Sequence, residues 1–188
     1  MRKLLLSPMI ILVIMFTTSC EQEKTIEIRE FYSNVQNVNL QGRVRADFGD
    51  RTAEYRLVYQ LNETGEQVTV AEPEEIAGIT VVLAENGSKL IFDGLVLETG
   101  ALPGTGLSPL EAMPHYLRCW REGYITAQGN EVIEGTACFR VVYSYTYDGK
   151  AITMQTWFDA ETFYPVKAET YVDDFCVIQC IFEKVEIS

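Results

Sequence analysis

The strongest constraint on the fold is a series of short segments in which apolar and polar residues alternate. In residues 38–48, for example, every second side chain from Val38 to Phe48 is apolar or glycine and most of the others are polar. A period of two predicts a strand with one buried face. Pairs such as Asn86-Gly87, Asp93-Gly94 and Asp148-Gly149 separate these segments, and Asn-Gly and Asp-Gly favour two-residue hairpins. The pattern therefore predicts one antiparallel sheet built from sequential hairpins.

About ten or eleven strands are predicted in this way. They cover residues 38–48, 53–61, 67–71, 79–84, 89–92, 95–98, 124–128, 136–147, 152–158, 166–172 and 175–187. We expect Gly129-Asn130 to form the turn between the seventh strand and the eighth, and 73–78 to form a single helical turn or loop. Residues 99–106 are rich in glycine and predict a surface loop, since a phosphate-binding loop would end in Gly-Lys-Ser/Thr.

Two segments instead have helical spacing. Ile28, Phe31, Tyr32 and Val35 fall at i, i+3, i+4 and i+7 and predict a short amphipathic helix. The second helix runs from about 108 to 123, with Ser108 as N-cap, Pro109 at N1 and Glu111 at N3. We expect Pro114 to kink or restart it. The predicted fold class is α+β, mainly β, with the helices covering one face of the sheet.

The N-terminus indicates export. Arg2 and Lys3 precede a mostly apolar run from Leu4 to Phe16, the layout of a secretory signal peptide. That run is too short for a membrane-spanning helix, which needs about 20 residues. Residues 17–20, Thr-Thr-Ser-Cys, resemble the lipobox of bacterial lipoproteins. The resemblance implies cleavage before Cys20, a diacylglycerol on its sulfur and acylation of the new N-terminus, for instance with palmitate. An ordinary secretory signal, with Cys20 incidental, is the alternative.

These features divide the chain into three parts. We predict a signal peptide at 1–19, a polar tether at 20–24 and a single domain at 25–188. Removing the signal takes away Arg2 and Lys3 and changes the formal charge from −12 to −14. Such a surface repels nucleic acid and anionic lipid headgroups, so nucleic acid is not an expected partner. The simplest role of the acidity is solubility.

Four cysteines follow Cys20. An even number in an exported chain is compatible with two disulfides among Cys119, Cys138, Cys176 and Cys180. Cys176 and Cys180 lie four apart in one predicted strand, roughly 13 Å along it, which exceeds the disulfide limit of about 7 Å between Cα atoms. Buried free thiols are the default interpretation.

Residues 157–169, WFDAETFYPVKAE, resemble the LolA/LolB-type lipoprotein-carrier family. They give a strand, an Asp-x-x-Thr turn, a proline and a strand with Lys167 and Glu169; the helix start at 107–110 fits as well. The resemblance implies a curved, unclosed antiparallel sheet, a half-barrel whose cavity holds acyl chains beneath the helices. Related GerS-like lipoproteins of spore-forming bacteria are implied to bind a cell-wall amidase during sporulation or germination.

The candidate site is the apolar face between sheet and helix. The residues predicted to line a cavity there are Tyr55, Leu57, Tyr59, Leu110, Met113, Leu117, Trp120, Phe139, Val141, Tyr143, Tyr145, Met154 and Phe158. A sixteen-carbon chain buried there would gain roughly 12 kcal/mol, at about 0.8 kcal/mol per methylene. If the helix packs flush, the same residues are simply core, and both interpretations remain.

Catalysis has little support in the sequence. His115 is the only histidine, and its one candidate partner is Cys119 at i+4. The carboxylates Asp159, Glu161 and Asp173-Asp174 are most simply solvated turn residues, and no spacing matches a metal motif. We therefore predict a non-enzymatic lipoprotein without cofactor or metal, anchored by diacylglycerol at the extracytoplasmic face of the cell membrane. Its predicted partner is an acyl chain, a lipoprotein cargo or a cell-wall enzyme.

Overall fold

The structure is a computed structural model that describes residues 22–84, 87–100 and 104–188. The signal peptide, Cys20, Asn86 of the predicted Asn86-Gly87 turn, and part of the glycine-rich loop lie outside these ranges. The helices are α1 (residues 22–34) and α2 (Pro109–Glu122), with a 3-10 turn at Glu74–Ile76. The strands are β1 (Val38–Asp47), β2 (Thr52–Asn62), β3 (Gly65–Glu72), β4 (Thr80–Leu83), β5 (Ser88–Phe92), β6 (Leu95–Gly100), β7 (Ile125–Ile133), β8 (Thr136–Tyr147), β9 (Lys150–Asp159), β10 (Pro165–Val172) and β11 (Phe175–Ile187).

All eleven strands form one antiparallel sheet in the order β6-β5-β4-β3-β2-β1-β11-β10-β9-β8-β7. The first six strands and the last five are two sequential meanders, joined where β1 pairs with β11. Strands β6 and β7 are the two edges and do not pair with each other, so the sheet is open. The predicted fold class, a mainly β protein with one unclosed antiparallel sheet and helices, is confirmed.

Helix α2 lies against the inner face of the sheet. Along β1 the buried side chains alternate as predicted, and Met113 of α2 is fully buried with them. At Gly42 the backbone of β11 leaves no room for a side chain: a Cβ added there would lie 2.6 Å from the Ile181 carbonyl oxygen and 3.2 Å from Met113 Cε. Glycine is therefore required where the pairing of β1 with β11 shifts register, and the Met113 side chain of α2 packs over it.

The two helices fix each other through their C-terminal ends. Arg121 of α2 donates hydrogen bonds from Nε to the Tyr32 carbonyl (3.0 Å) and from Nη2 to the Val35 carbonyl (2.8 Å). Arg29 of α1 donates in return to the carbonyl of Gly123, just after α2 (2.6 Å). The last carbonyls of a helix have no partner within it and carry partial negative charge, so each arginine stabilises the end of the other helix. In the described part of the chain, neither helix has the length and apolarity needed to cross a membrane.

The predicted turn at Gly129-Asn130 is wrong. Strand β7 continues through both residues to Ile133, and the turn lies at Glu134-Gly135, where φ is +49° and +88°. A two-residue hairpin turn of this kind needs positive φ at both positions, and Glu-Gly supplies it here. Gly129 is tolerated because β7 is an edge strand.

Three smaller expectations also differ. Phe48 lies beyond the end of β1 and is 48% exposed, because Asp47 accepts a hydrogen bond from the Gly49 N–H (2.9 Å) and turns the chain. Helix α2 continues through Pro114 without a restart, and the Ser108 side chain makes no capping hydrogen bond. Helix α1 already includes residues 22–24, which were assigned to the tether.

Candidate functional site

The residues predicted to line a cavity are brought together, but they pack against each other. Ten of them belong to the buried core, namely Leu57, Tyr59, Met113, Leu117, Trp120, Phe139, Val141, Tyr143, Met154 and Phe158. Tyr55 and Leu110 are partly buried against that core, and Tyr145 is half-buried. Their role as ligand contacts stays a prediction, and the contacts between them are those of a filled interior.

Trp120 is the centre of this packing. Its ring lies 4.8 Å from the Tyr32 ring centroid and 5.4 Å from that of Phe158. Its Nε1–H donates to Thr156 Oγ1 at 2.9 Å, and the nearby Thr170 hydroxyl bonds the Tyr116 hydroxyl at 3.3 Å. Buried polar groups are costly without partners, so these two threonines let large aromatic side chains of α2 lie on the inner face of the sheet.

An apolar groove of about 600 Å³ lies beside this core, at one end of the strands. Residues of the β1–β2, β8–β9 and β10–β11 connections form it together with Leu107, which precedes α2. Its lining residues are Asp47, Phe48, Gly49, Leu107, Tyr147, Asp148, Lys150, Ile152, Val172, Asp173, Phe175 and Val177. This volume lies within the range of roughly 300–1,000 Å³ that small-molecule sites occupy.

Three aromatic side chains at the rim of the groove are only partly covered. Phe48, Tyr147 and Phe175 are 48%, 43% and 49% exposed, whereas Ile152 at the base is 1% exposed. Large apolar side chains that stay exposed around a concave surface are typical of interaction sites. We therefore take this rim groove as the candidate binding site.

The groove was not predicted from the sequence. Of its lining residues, none was predicted as a site residue, although Phe48, Tyr147 and Phe175 all stand next to turn residues. An aromatic residue directly beside an acidic turn is the signal that was available. What could not be read from the sequence is that three turns, distant along the chain, lie side by side at one end of the sheet.

His115 and Cys119 are in contact on α2, as their i, i+4 spacing allows. His115 Nε2 lies 3.4 Å from Cys119 Sγ, and Nδ1 lies 2.9 Å from the Gly104 carbonyl oxygen. Burial, assisted by Arg118, lowers the His115 pKa to about 4, and burial raises the Cys119 pKa to about 12. Both groups are therefore neutral at pH 7: Nδ1–H donates to Gly104, and the thiol donates to Nε2. A reactive cysteine needs a lowered thiol pKa, not a raised one. We therefore assign a structural role to the pair, which joins the 104–107 loop to the helix through the hydrogen bond of His115 to Gly104.

The motif that carries the family resemblance is structural. Asp159 Oδ1 accepts from the backbone N–H of Thr162 (2.8 Å) and of Glu161 (3.0 Å), and these bonds lower the Asp159 pKa. On the outer face of β10, the buried Glu169 carboxylate binds Lys167 Nζ at 2.7 Å and Gln179 Nε2 at 3.0 Å. Burial would raise the Glu169 pKa, but these donors and the Tyr171 hydroxyl outweigh it and lower the pKa.

The four cysteines of the domain are free, and Cys119, Cys138 and Cys180 are buried, which agrees with the default interpretation. Among the residues that the structure describes, no group of three or more His, Cys, Asp or Glu side chains is placed to hold a metal ion.

Comparison with solved structures identifies the fold. The chain matches an uncharacterized conserved protein of Thermus thermophilus with a TM-score of 0.54 at 9% identity, over 89% of this chain and 87% of that one. It also matches a LolA superfamily protein of Nitrosomonas europaea (TM-score 0.47, 11% identity, 88% and 93% covered) and the Mycobacterium tuberculosis lipoprotein LppX (0.44, 13%, 86% and 93%). The first of these matches shows that this chain and the Thermus protein share a fold.

The resemblance at residues 157–169 is to the superfamily of the Nitrosomonas protein. No family model and no curated protein sequence matches the chain. In this fold, aromatic side chains fill the space under α2, and the apolar groove lies at the rim.

Proposed function

We propose that this protein is a lipid-anchored, non-enzymatic lipoprotein of the cell envelope that holds an acyl chain, free or carried by a lipoprotein, in the rim groove. The observation that carries the proposal is the groove itself, about 600 Å³ in volume and bordered by half-exposed Phe48, Tyr147 and Phe175. The single domain at 25–188 and the signal peptide at 1–19 are part of the same proposal.

The groove is suited to moderate affinity. It is open on one side, so a sixteen-carbon chain would bury about half of its methylenes there and gain ~6 kcal/mol, at about 0.8 kcal/mol each. Association also costs translational and rotational freedom, so the affinity is weaker than the Kd of tens of micromolar to which this gain alone would correspond. Such binding is reversible, which a protein that accepts and releases a chain requires.

The position of the anchor supports access from the aqueous side. Lys24 Nζ, close to the proposed lipid at Cys20, lies 5.6 Å from the Phe139 ring, and Thr25 bonds Gln128. Phe139 and Tyr147 stand eight residues apart on β8, about 26 Å at 3.3 Å per residue. Lys24, the end of the described chain that is near Cys20 in sequence, and the groove therefore lie at opposite ends of β8. In the proposal, the groove faces away from the membrane.

The chemistry of the single histidine supports the proposal of a non-enzymatic protein. The one histidine and its neighbour Cys119 are both held neutral by burial, and His115 already has a hydrogen-bond partner at each ring nitrogen. Nucleophilic catalysis needs a thiolate, or an exposed hydroxyl with a base beside it. We therefore assign His115 to structure.

The test combines native mass spectrometry with matched variants. The mature chain from residue 20, with Cys20→Ser, is purified from cells and examined for bound lipid, then titrated with 1-dodecanol as a neutral single-chain probe. We expect lipid or probe to bind, and Phe48→Ser/Phe175→Ser to weaken probe binding at least tenfold. Tyr124→Ser is the control, since Tyr124 is 76% exposed and outside the groove. Equal binding by the two variants would exclude the groove. Separately, Cys20→Ala should release the protein from membranes.

A second candidate function rests on strand β6. Leu95, Val96 and Leu97 are 75%, 59% and 62% exposed on this edge strand. An edge strand with exposed apolar side chains can pair with an extended segment of another protein. This supports a GerS-like regulatory lipoprotein that binds and activates a cell-wall amidase. A purified protein without lipid that captures such an enzyme, and loses it on Val96→Lys, would favour this function over the first.

A further inference from the structure

The rim of the groove also carries charge, and we infer that it selects an acyl chain whose head group is positively charged. This inference rests on the proposed function, because it concerns the ligand of the same groove. Three carboxylates, Asp47, Asp148 and Asp173, line the groove with one cation, Lys150. The apolar floor accommodates the chain, and the carboxylates border the place where its head emerges.

The carboxylates are held in position by the turns. Asp47 Oδ1 accepts from the Gly49 N–H at 2.9 Å, and Asp173 Oδ1 accepts from the Ala151 N–H at 3.2 Å. Asp148 and Asp173 have φ of +50° and +47°, a region that Asp and Asn adopt more readily than other side chains. The acidic groups are therefore built into the same turns that form the groove.

Their charge is not neutralised within the protein. In the described residues, the salt bridges involve glutamates only, and none reaches these three aspartates. Two other cations lie nearby: Arg45 lines a neighbouring pocket with Asp47 and Phe175, and Arg51 stacks over the Phe48 ring with Cζ 5.3 Å from its centroid. Asp50 and Asp174, in the same turns, add two further negative charges, so the rim is acidic overall.

A charged head group at this rim interacts with the negative charge of the carboxylates. The interaction of two unit charges at 4 Å, of order 1 kcal/mol in water and larger near a protein surface, corresponds to a several-fold change in affinity for each charge. We expect an amine head to bind about tenfold more tightly than a carboxylate on the same chain at low salt. The preference should shrink in high salt, where exposed charges are screened.

The experiment compares three ligands that share a twelve-carbon alkyl chain and differ only in the head: dodecylamine, 1-dodecanol and tridecanoate. Each is titrated by calorimetry into the mature chain from residue 20 with Cys20→Ser, at pH 7.4 and at 20 mM and 500 mM salt. That chain contains the whole sheet and both helices. We expect the amine to bind most tightly and the carboxylate most weakly, with the difference reduced at 500 mM salt.

Matched substitutions identify the charges that are responsible for the preference for the amine. Asp148→Asn/Asp173→Asn keeps the turn geometry, since Asn tolerates positive φ and retains the Oδ1 acceptor, and should reduce the amine preference to about threefold or less. Asp93→Asn is the control: Asp93 has φ +47° in the β5–β6 turn and lies outside the groove. Equal affinities for the three ligands, or tighter binding of tridecanoate, would overturn the inference while the proposed function stands. Failure of all three ligands, including dodecanol, would overturn both.

Discussion

Trp120 of α2 donates a hydrogen bond from its indole Nε1 to the hydroxyl of Thr156 on β9, 2.9 Å away, and both residues are buried. The bond joins helix to sheet at the centre of the core, where a half-barrel with an open interior would have space. It is the contact that most directly distinguishes a filled interior from a ligand cavity.

Trp120→Phe should therefore destabilise the protein by about 3 kcal/mol, because it leaves a gap among the aromatic rings and a buried hydroxyl without a partner. Urea unfolding measures the change. In Trp120→Phe/Thr156→Val the hydroxyl is gone as well, and about 1 kcal/mol of the loss should return. If Trp120→Phe were as stable as the wild type, the space under α2 would not be tightly packed.

Arg121 should matter more than its position on the helix surface suggests. Arg121→Gln removes both donors to the Tyr32 and Val35 carbonyls, and charged hydrogen bonds of this type contribute roughly 1.5–3 kcal/mol. We expect a loss of about 2 kcal/mol and faster amide hydrogen exchange in α1. The control is Arg43→Gln, whose side chain is 64% exposed in its ion pair with Glu183 and should contribute under about 1 kcal/mol. Equal effects of the two substitutions would contradict the mutual capping of the helices.

The single histidine predicts a specific pH dependence. Burial lowers the His115 pKa to about 4, whereas in the unfolded chain it titrates near 6.5. Between these values the unfolded state binds a proton that the folded state does not, so stability is complete above about pH 6.5 and falls as pH drops towards 4, by about 1.4 kcal/mol per pH unit. Wild type should lose about 2 kcal/mol between pH 7 and pH 5.

His115→Gln should abolish most of this loss, as measured by urea unfolding at the two pH values. The lowered pKa values of Asp159 and Glu169 affect stability only at lower pH, because both groups are already ionised at pH 5 in either state. Parallel pH profiles for wild type and His115→Gln would show that His115 is accessible to protons in the folded protein.

Much of the fold followed from local pattern. The alternation in β1 and β2, the Asp159–Thr162 turn and the Pro109 start of α2 each depend on neighbours within a few residues, and each was confirmed. The end of β7 was not predicted, since Gly129-Asn130 and Glu134-Gly135 are both turn-competent pairs. Which pair turns depends on pairing with β8, and that information lies outside the segment.

The candidate site was less predictable for a related reason. The aromatic residues on the inner face were identified, but whether Trp120 and its neighbours fill a space or border one depends on how deeply α2 sits on the sheet. That depth depends on contacts between residues far apart in the chain, such as Trp120 with Thr156. The groove requires Phe48, Tyr147 and Phe175 to meet across three turns. No local pattern contains that arrangement, which follows from the order of the strands in the sheet.

The most direct test of the central claim is to locate a bound chain. The mature protein is irradiated in the presence of a neutral twelve-carbon alkyl diazirine, which labels the residues it contacts. The labelled residues are identified by mass spectrometry of the peptides. The account predicts labels around the groove, at Phe48, Tyr147 and Phe175, and none at Trp120 or Tyr116. Labels on Trp120 and Tyr116, with the groove residues unlabelled, would show that the chain binds beneath α2 and would contradict the account.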